Sequence, residues 1–305
     1  MMTPEVHSRI IRELAAKHGF AFAGLSKAEK LEEEARRLEQ WLKQGSHGKM
    51  HYMENHFDKR VDPTLLVPGA KSVISLMYNY YPKEEPATDN KLKIARYAYG
   101  EDYHYVIKDI LRAMVADLQQ QIGDFHARIF VDSAPVLEKA WARKSGIGWQ
   151  GKNTNLIHPK AGSFYFLAEI ICDIEVMADG PIKDHCGTCT ACLDACPTEA
   201  LYEPYKLDAS RCISYLTIEL KDEIIPGEFH DKMEGWMFGC DICQEVCPWN
   251  RFSKPHRQPR FHPDESVMHL DRNDWMEMTD EVMLALIKNS PLSRPGPAGI
   301  RRNLL

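Results

Sequence analysis

Eight of the nine cysteines in this 305-residue chain fall between positions 186 and 247, and their spacing constrains the fold more than any other feature. The first run reads Cys186-x2-Cys189-x2-Cys192-x3-Cys196-Pro197. Short turns of this kind wrap three thiolates around three irons of a cubane. The proline after the fourth cysteine sends the chain onward, so that this cysteine reaches a second cluster. Thiolates suit such a soft, electron-rich core. The second run, Cys240-x2-Cys243-x3-Cys247-Pro248, lacks its first ligand. Counting back places the gap at Met237, and Cys212 is the nearby cysteine left to fill it. One [4Fe–4S] cluster is therefore assigned to Cys186, Cys189, Cys192 and Cys247, the other to Cys196, Cys212, Cys240 and Cys243. Zinc also occupies CxxC pairs, but it has no need of the further steps that end both runs in Cys-Pro. Cys172, in the apolar stretch Phe164–Ile174, reads as a buried, inert thiol.

The remaining length is enough for a second unit with its own core. The N-terminal segment has neither an apolar signal core nor a twin-arginine pair, and no apolar run is long enough to span a bilayer. The expected setting is the cytoplasm, with no membrane association, where clustered cysteines bind metal rather than form disulfides. A net charge of −6 excludes a chain that coats nucleic acid through bulk charge, though not one with a local basic face.

Apolar spacing predicts helices from about Val6 to Gly19, over Glu29–Gln44, over Tyr103–Gln121 and over Ala134–Ser145. It predicts strands over Phe20–Leu25, Lys71–Tyr80 and Arg128–Val131, and a hairpin of Thr154–Ile157 with Ser163–Cys172. The turn residues Asp179-Gly180-Pro181 mark a boundary. The expected organisation is an α+β chain with a catalytic domain over 1–178, a two-cluster ferredoxin-like domain over 179–250, and a basic, partly helical segment over 251–305. A ferredoxin alone needs no such N-terminal domain, so this domain should hold a catalytic centre. It has no P-loop, and Gly146-x-Gly148-x-x-Gly151 follows a helix instead of joining a strand to one, which rules out a dinucleotide fingerprint.

Longer motifs carry a family resemblance. The stretch Val131-Asp132-Ser133-Ala134-Pro135-Val136-Leu137-Glu138, continuing into Ser145-Gly146-Ile147-Gly148-Trp149-Gln150-Gly151-Lys152-Asn153, resembles the signature of the epoxyqueuosine reductases. Lys59-Arg60-Val61-Asp62-Pro63, Gly100-Glu101-Asp102-Tyr103-His104, Arg211-Cys212-Ile213-Ser214-Tyr215 and Cys240-Asp241-Ile242-Cys243 are similar to further family motifs. The resemblance implies a cobalamin-binding α/β domain like that of reductive dehalogenases, placed before the cluster module. It implies a reaction in which the oxygen of a cyclopentane epoxide is removed at the wobble position of tRNA, giving queuosine. The acceptors would be the aspartate, asparagine, histidine and tyrosine tRNAs, and an external low-potential donor would supply electrons. The protein would act as a monomer. Longer members continue past the motif like Ser290-Pro291-Leu292-Ser293-Arg294 into helical repeats, which are expected to be missing here.

The resemblance also implies roles. Asp132 would be the proton donor, its pKa raised by burial beneath the corrin; the plainer role is a cap on the helix expected from Ala134. Asp102 is a second candidate acid, or a helix start. Arg60, Asp132, Lys152, Asn153, Leu156, Ser214 and Asp241 would contact the cofactor. No Asp-x-His-x-x-Gly motif is present to supply a lower axial histidine, so the cobalamin is expected base-off, as base-off cob(II)alamin, with no protein ligand to cobalt. Arg251, Lys254, Arg257 and Arg260, backed by Arg294, Arg301 and Arg302, would form a phosphate-contacting surface, with His256 and Phe261 stacking on unpaired bases. Two other readings stay open: a reductive dehalogenase of small organohalides, and an electron-transfer subunit whose first domain only docks a partner.

Overall fold

Strands covered on both faces carry near-continuous apolar side chains, and Ser72–Asn79 and Tyr165–Cys172 do so. In the computed structural model, which describes residues 2–83 and 92–304, these two form the centre of a four-stranded sheet. Phe22–Lys27 pairs with the outer side of Ser72–Asn79, and Ala127–Phe130 with the outer side of Tyr165–Cys172, every neighbour antiparallel. Alternation divides the side chains. Ile74, Leu76, Phe166, Ala168 and Ile170 face the helices Pro4–Lys17 and Tyr103–Ile122. Val73, Phe130 and Ile171 face Trp141 on the helix Glu138–Lys144. An all-antiparallel sheet with helices packed on its faces makes the α+β class expected from the sequence.

Two expectations are corrected. The helix expected from Ala134 starts at Glu138. Pro135 disfavours helical geometry at Ala134, and the chain turns through Ser133–Val136 before entering it. The expected hairpin also differs: Leu156–Ile157 pairs with Trp149–Gln150, while Tyr165–Cys172 enters the main sheet. Gly148 permits the smaller pairing, since a Cβ there would lie 2.8 Å from the Ile157 carbonyl oxygen.

The chain after the cysteines is no solvated tail. Its helices Arg272–Glu277, Asp280–Ile287 and Gly296–Leu304 bring Trp275, Met283, Ile287 and Ile300 around Met237 and Phe238 of the short strand Trp236–Phe238. Arg302, expected on the phosphate surface, is buried. Its guanidinium donates to the carbonyls of Leu216 (2.8 Å), Leu220 (2.5 Å) and Asp222 (3.1 Å). Arg302→Ala strands these carbonyls and should cost about 1–3 kcal/mol of stability. A lower urea midpoint at unchanged cysteine-module absorbance would show it; an unchanged midpoint would contradict the bracing role.

Candidate active site and cluster loops

A cleft of about 1790 Å³ opens between the sheet domain, the cysteine module and the C-terminal segment. Its walls include Tyr52, Arg60, Tyr103, Asp132, Tyr205 and Arg294. Ordinary small-molecule pockets occupy roughly 300–1,000 Å³, so this one has room for a macrocycle together with a nucleoside.

Asp132 stands at the end of the strand Ala127–Phe130, with φ +55°, a left-handed conformation uncommon outside glycine. Its Oδ2 accepts from the Tyr103 hydroxyl at 2.7 Å and lies 3.2 Å from His104 Nε2. The other ring nitrogen of His104 lies 2.7 Å from Asp102 Oδ1, the same oxygen that caps the helix Tyr103–Ile122 by accepting from the His104 backbone N–H. Asp102 is thus both the helix start and a partner of the site. Asp132 caps no helix.

The expectation that burial raises the Asp132 pKa is corrected for the protein alone. Burial does push it up, but hydrogen bonds from His104 and Tyr103 outweigh this and hold it below the usual carboxylate range. The proton rests on the imidazole instead. Burial works against the charged ring, yet Asp102 and Asp132 together raise His104 to about 9. Sequence reasoning gave Tyr103 and His104 no role, although their position one and two residues past a capping aspartate was the available signal.

The other expected cofactor contacts divide. Arg60 lines the cleft, is buried, and donates from Nη2 to the Tyr52 carbonyl at 3.0 Å, while its buried Nε has no partner among the described residues. Lys152 and Asn153 turn away from the cleft. Lys152 Nζ donates to the carbonyls of Gly187 (2.6 Å) and Cys189 (2.9 Å), and Asn153 Nδ2 to that of Cys243 (3.0 Å). The turn after Gly151 therefore aims these donors at cysteine loops, where free carbonyls await them. Leu156 is core, packed with Met77, Ala142 and Ile147. Ser214 lies beside Cys212, where its backbone N–H and side chain oppose the upward push of burial on that thiol. Asp241, raised by burial to about 6, accepts from the Arg96 backbone N–H at 2.8 Å.

The structure gathers the eight cysteines into two sets. Cys186, Cys189, Cys192 and Cys247 line one small cavity with Trp249. Cys212 neighbours Cys196, and Cys240 and Cys243 both neighbour Cys212. Burial and adjacent thiols push Cys192 up to about 11, and Cys240 and Cys243 upward as well. Two sets of four thiols brought together in this way fit two iron–sulfur clusters. Met237 is buried in the C-terminal core and Cys172 in the main core, the latter pushed by burial to about 12.

The expected phosphate surface narrows. Arg251, Lys254 and Arg257 are exposed. Arg260 is paired with Glu101 and Asp109, Arg301 with Asp280, and Arg294 with Glu219 at the cleft. Phe261 is 5% exposed in the main core and is no stacking platform. His256 is half-buried, its backbone N–H donating to the Tyr81 carbonyl.

Comparison with known proteins agrees with this geometry. Residues 185–250 match the model of the 4Fe-4S double cluster binding domain, and residues 60–133 that of epoxyqueuosine reductase QueG, DUF1730. An epoxyqueuosine reductase of Cellulophaga algicola is 56% identical over 100% of this chain and 99% of its own length. The chain belongs to the epoxyqueuosine reductase family. As a member it is an oxidoreductase. A crystal structure of an epoxyqueuosine reductase with an epoxyqueuosine-modified tRNA-Tyr stem loop superposes with TM-score 0.90 at 32% identity, covering 97% of this chain and 79% of that one. The Bacillus subtilis epoxyqueuosine reductase, in a structure with its catalytic aspartate loop swung out of the active site, superposes with TM-score 0.88 at 31% identity, covering 97% and 79%.

The His104 pairing has a pH signature. A group whose pKa rises from an ordinary 6.5 to about 9 on folding contributes stability that is fully present below pH 6.5 and lost as pH climbs through 9. Urea midpoints should therefore decline over that window in the native protein and decline less in His104→Gln. Equal slopes would contradict the pairing.

Proposed function

We propose that this chain reduces epoxyqueuosine to queuosine at the wobble position of tRNA, with base-off cobalamin in the large cleft, fed by electrons through two [4Fe–4S] clusters. The observation that carries the reading is the Asp132–His104–Asp102 chain on the wall of a macrocycle-sized cleft, beside a module whose cysteines form two sets of four. The relative crystallised with an epoxyqueuosine-modified tRNA-Tyr stem loop supports the substrate class; the aspartate, asparagine, histidine and tyrosine tRNAs are the acceptors of this reading.

The residues present fit a corrin. Arg60 stands on the cleft wall with a fork of donors suited to an amide of the corrin rim, its buried Nε–H having no partner among the described residues, and Tyr52 and Tyr205 give flat walls. When bound, cobalamin would supply a low-potential cobalt centre able to open the epoxide. The overall change adds two electrons and two protons, breaks both C–O bonds, forms the ring C=C bond and releases water. Asp132 delivers a proton to the departing oxygen, which avoids expelling an anion. His104 refills Asp132, and Asp102 fixes the ring so that Nε2 faces it. Cys186, Cys189, Cys192 and Cys247 hold one cluster, and Cys196, Cys212, Cys240 and Cys243 the other. Lys152 and Asn153 tie their loops to the sheet domain, and Ser214 and Asp241 brace the second cluster next to the cleft. An external low-potential carrier supplies the electrons, and the exposed Arg251, Lys254 and Arg257 contact phosphates of the tRNA.

Two variants test the assignments. Asp132→Asn should bind cobalamin like the native protein in an absorbance titration but lose about 10²–10⁴-fold in turnover; native turnover would remove the acid role. Cys212→Ala, reconstituted anaerobically, should hold about four irons per chain where the native protein holds about eight. Full iron content would break the ligand assignment.

A further inference from the structure

Beneath Asp132 lies a second pair of carboxyls that the chemistry above does not use. Glu138 opens the helix Glu138–Lys144, and its Oε1 accepts the Asp132 backbone N–H at 2.6 Å. Glu138 thereby holds the main chain of the residue with φ +55°. Glu169 is in the middle of the strand Tyr165–Cys172, with 0% exposure. It stands between Phe130 on one neighbouring strand and Ser75 on the other. Neither of its oxygens has a donor within reach among the described residues, and the Ser75 hydroxyl is also buried and unpartnered. Glu169 shares the strand face of Phe130 and Ile171, the face that packs against the helix opened by Glu138, and the Glu138 carboxyl is its charged neighbour there.

Two ionised carboxylates cannot hydrogen-bond, and a fully buried carboxylate with no donor is strongly disfavoured. One proton removes both problems. We propose that Glu138 and Glu169 hold a shared proton beneath the active site, and that this carboxyl–carboxylic acid pair is the positioning device that fixes the Asp132 turn in its strained conformation. Glu169 donates its O–H to Glu138, which keeps an oxygen directed at the Asp132 N–H. The proposal deepens the reading of Asp132 as the acid and rests on it for the catalytic consequence only.

The surrounding charges favour the proton. Burial first, then the Asp132 charge, raises Glu138 to about 8, with His104 opposing. Burial and the same two carboxylates raise Glu169 further. Tyr103 and Lys139 are the other titratable neighbours of Glu138; Tyr103 bonds Asp132, and the Lys139 ammonium is 3.4 Å from Asn155 Oδ1. In alkaline solution the pair loses its proton, the two carboxylates repel, and the turn is released.

The test combines infrared spectroscopy with a pH profile. At pH 7 the native protein should show a protonated-carboxyl C=O band that shifts in D2O and weakens in Glu169→Gln; no such band, or one unchanged in the variant, overturns the proposal. This reading needs no turnover, so it stands or fails apart from the role of Asp132. In single-turnover reduction, Glu169→Gln keeps a permanent N–H donor to Glu138. It should recover most of the rate that Glu169→Leu loses, about tenfold or more, and should move the alkaline limb upward by about one pH unit. If Glu169→Leu does not fold, the band and the limb of Glu169→Gln decide. An unmoved limb, or equal loss in both variants, overturns the positioning role.

Discussion

Eight thiols arranged in two sets of four set the path of the second half of the molecule. Cys247 joins the set begun at Cys186, and Cys196 joins the set completed at Cys240 and Cys243, so each run crosses to the other's site. The intervening strand Trp236–Phe238 pairs in parallel with Lys93–Ile94. The C-terminal helices then pack on that strand, and Arg302 reaches through them to the carbonyls around Leu216. Lys152 and Asn153 make the corresponding tie from the sheet domain. The cleft is what remains between these bodies, which places its wall beside the cysteine loops.

Within the cleft, the electrostatic arrangement inverts a simple view of a buried acid. Asp132 is not kept protonated by dryness; it is an anion steadied by an imidazolium and a tyrosine hydroxyl. On the proposed reading, the proton to be transferred sits one hydrogen bond away, on His104. A bound macrocycle would exclude water from Asp132 and favour the neutral pair, moving the proton toward the carboxyl when it is needed.

Features governed by local spacing are legible in the amino-acid sequence. Both cysteine runs, the central strands and the long helix after Asp102 follow from rules that act over a few residues. Features that depend on what faces what are not. The glycine turn gives no sign that Lys152 and Asn153 point to cysteine loops, because both directions leave the same sequence. Glu169 sits in a run of apolar residues, and only the fold brings Glu138 against it. Arg302 and Phe261 look like surface residues in a basic stretch, but the C-terminal core and the main core claim them. Pro135 holds the local reason for the late helix start, although an aspartate two residues before Ala134 argues for an earlier one.

The most direct test of the account is nucleoside mass spectrometry on an epoxyqueuosine-containing anticodon stem loop. The loop would be incubated anaerobically with the reconstituted protein, cobalamin and a low-potential chemical reductant. The account predicts loss of one oxygen from the modified nucleoside, to give queuosine, only when cobalamin is present. Unchanged epoxyqueuosine in the complete mixture, or full conversion without cobalamin, would contradict it.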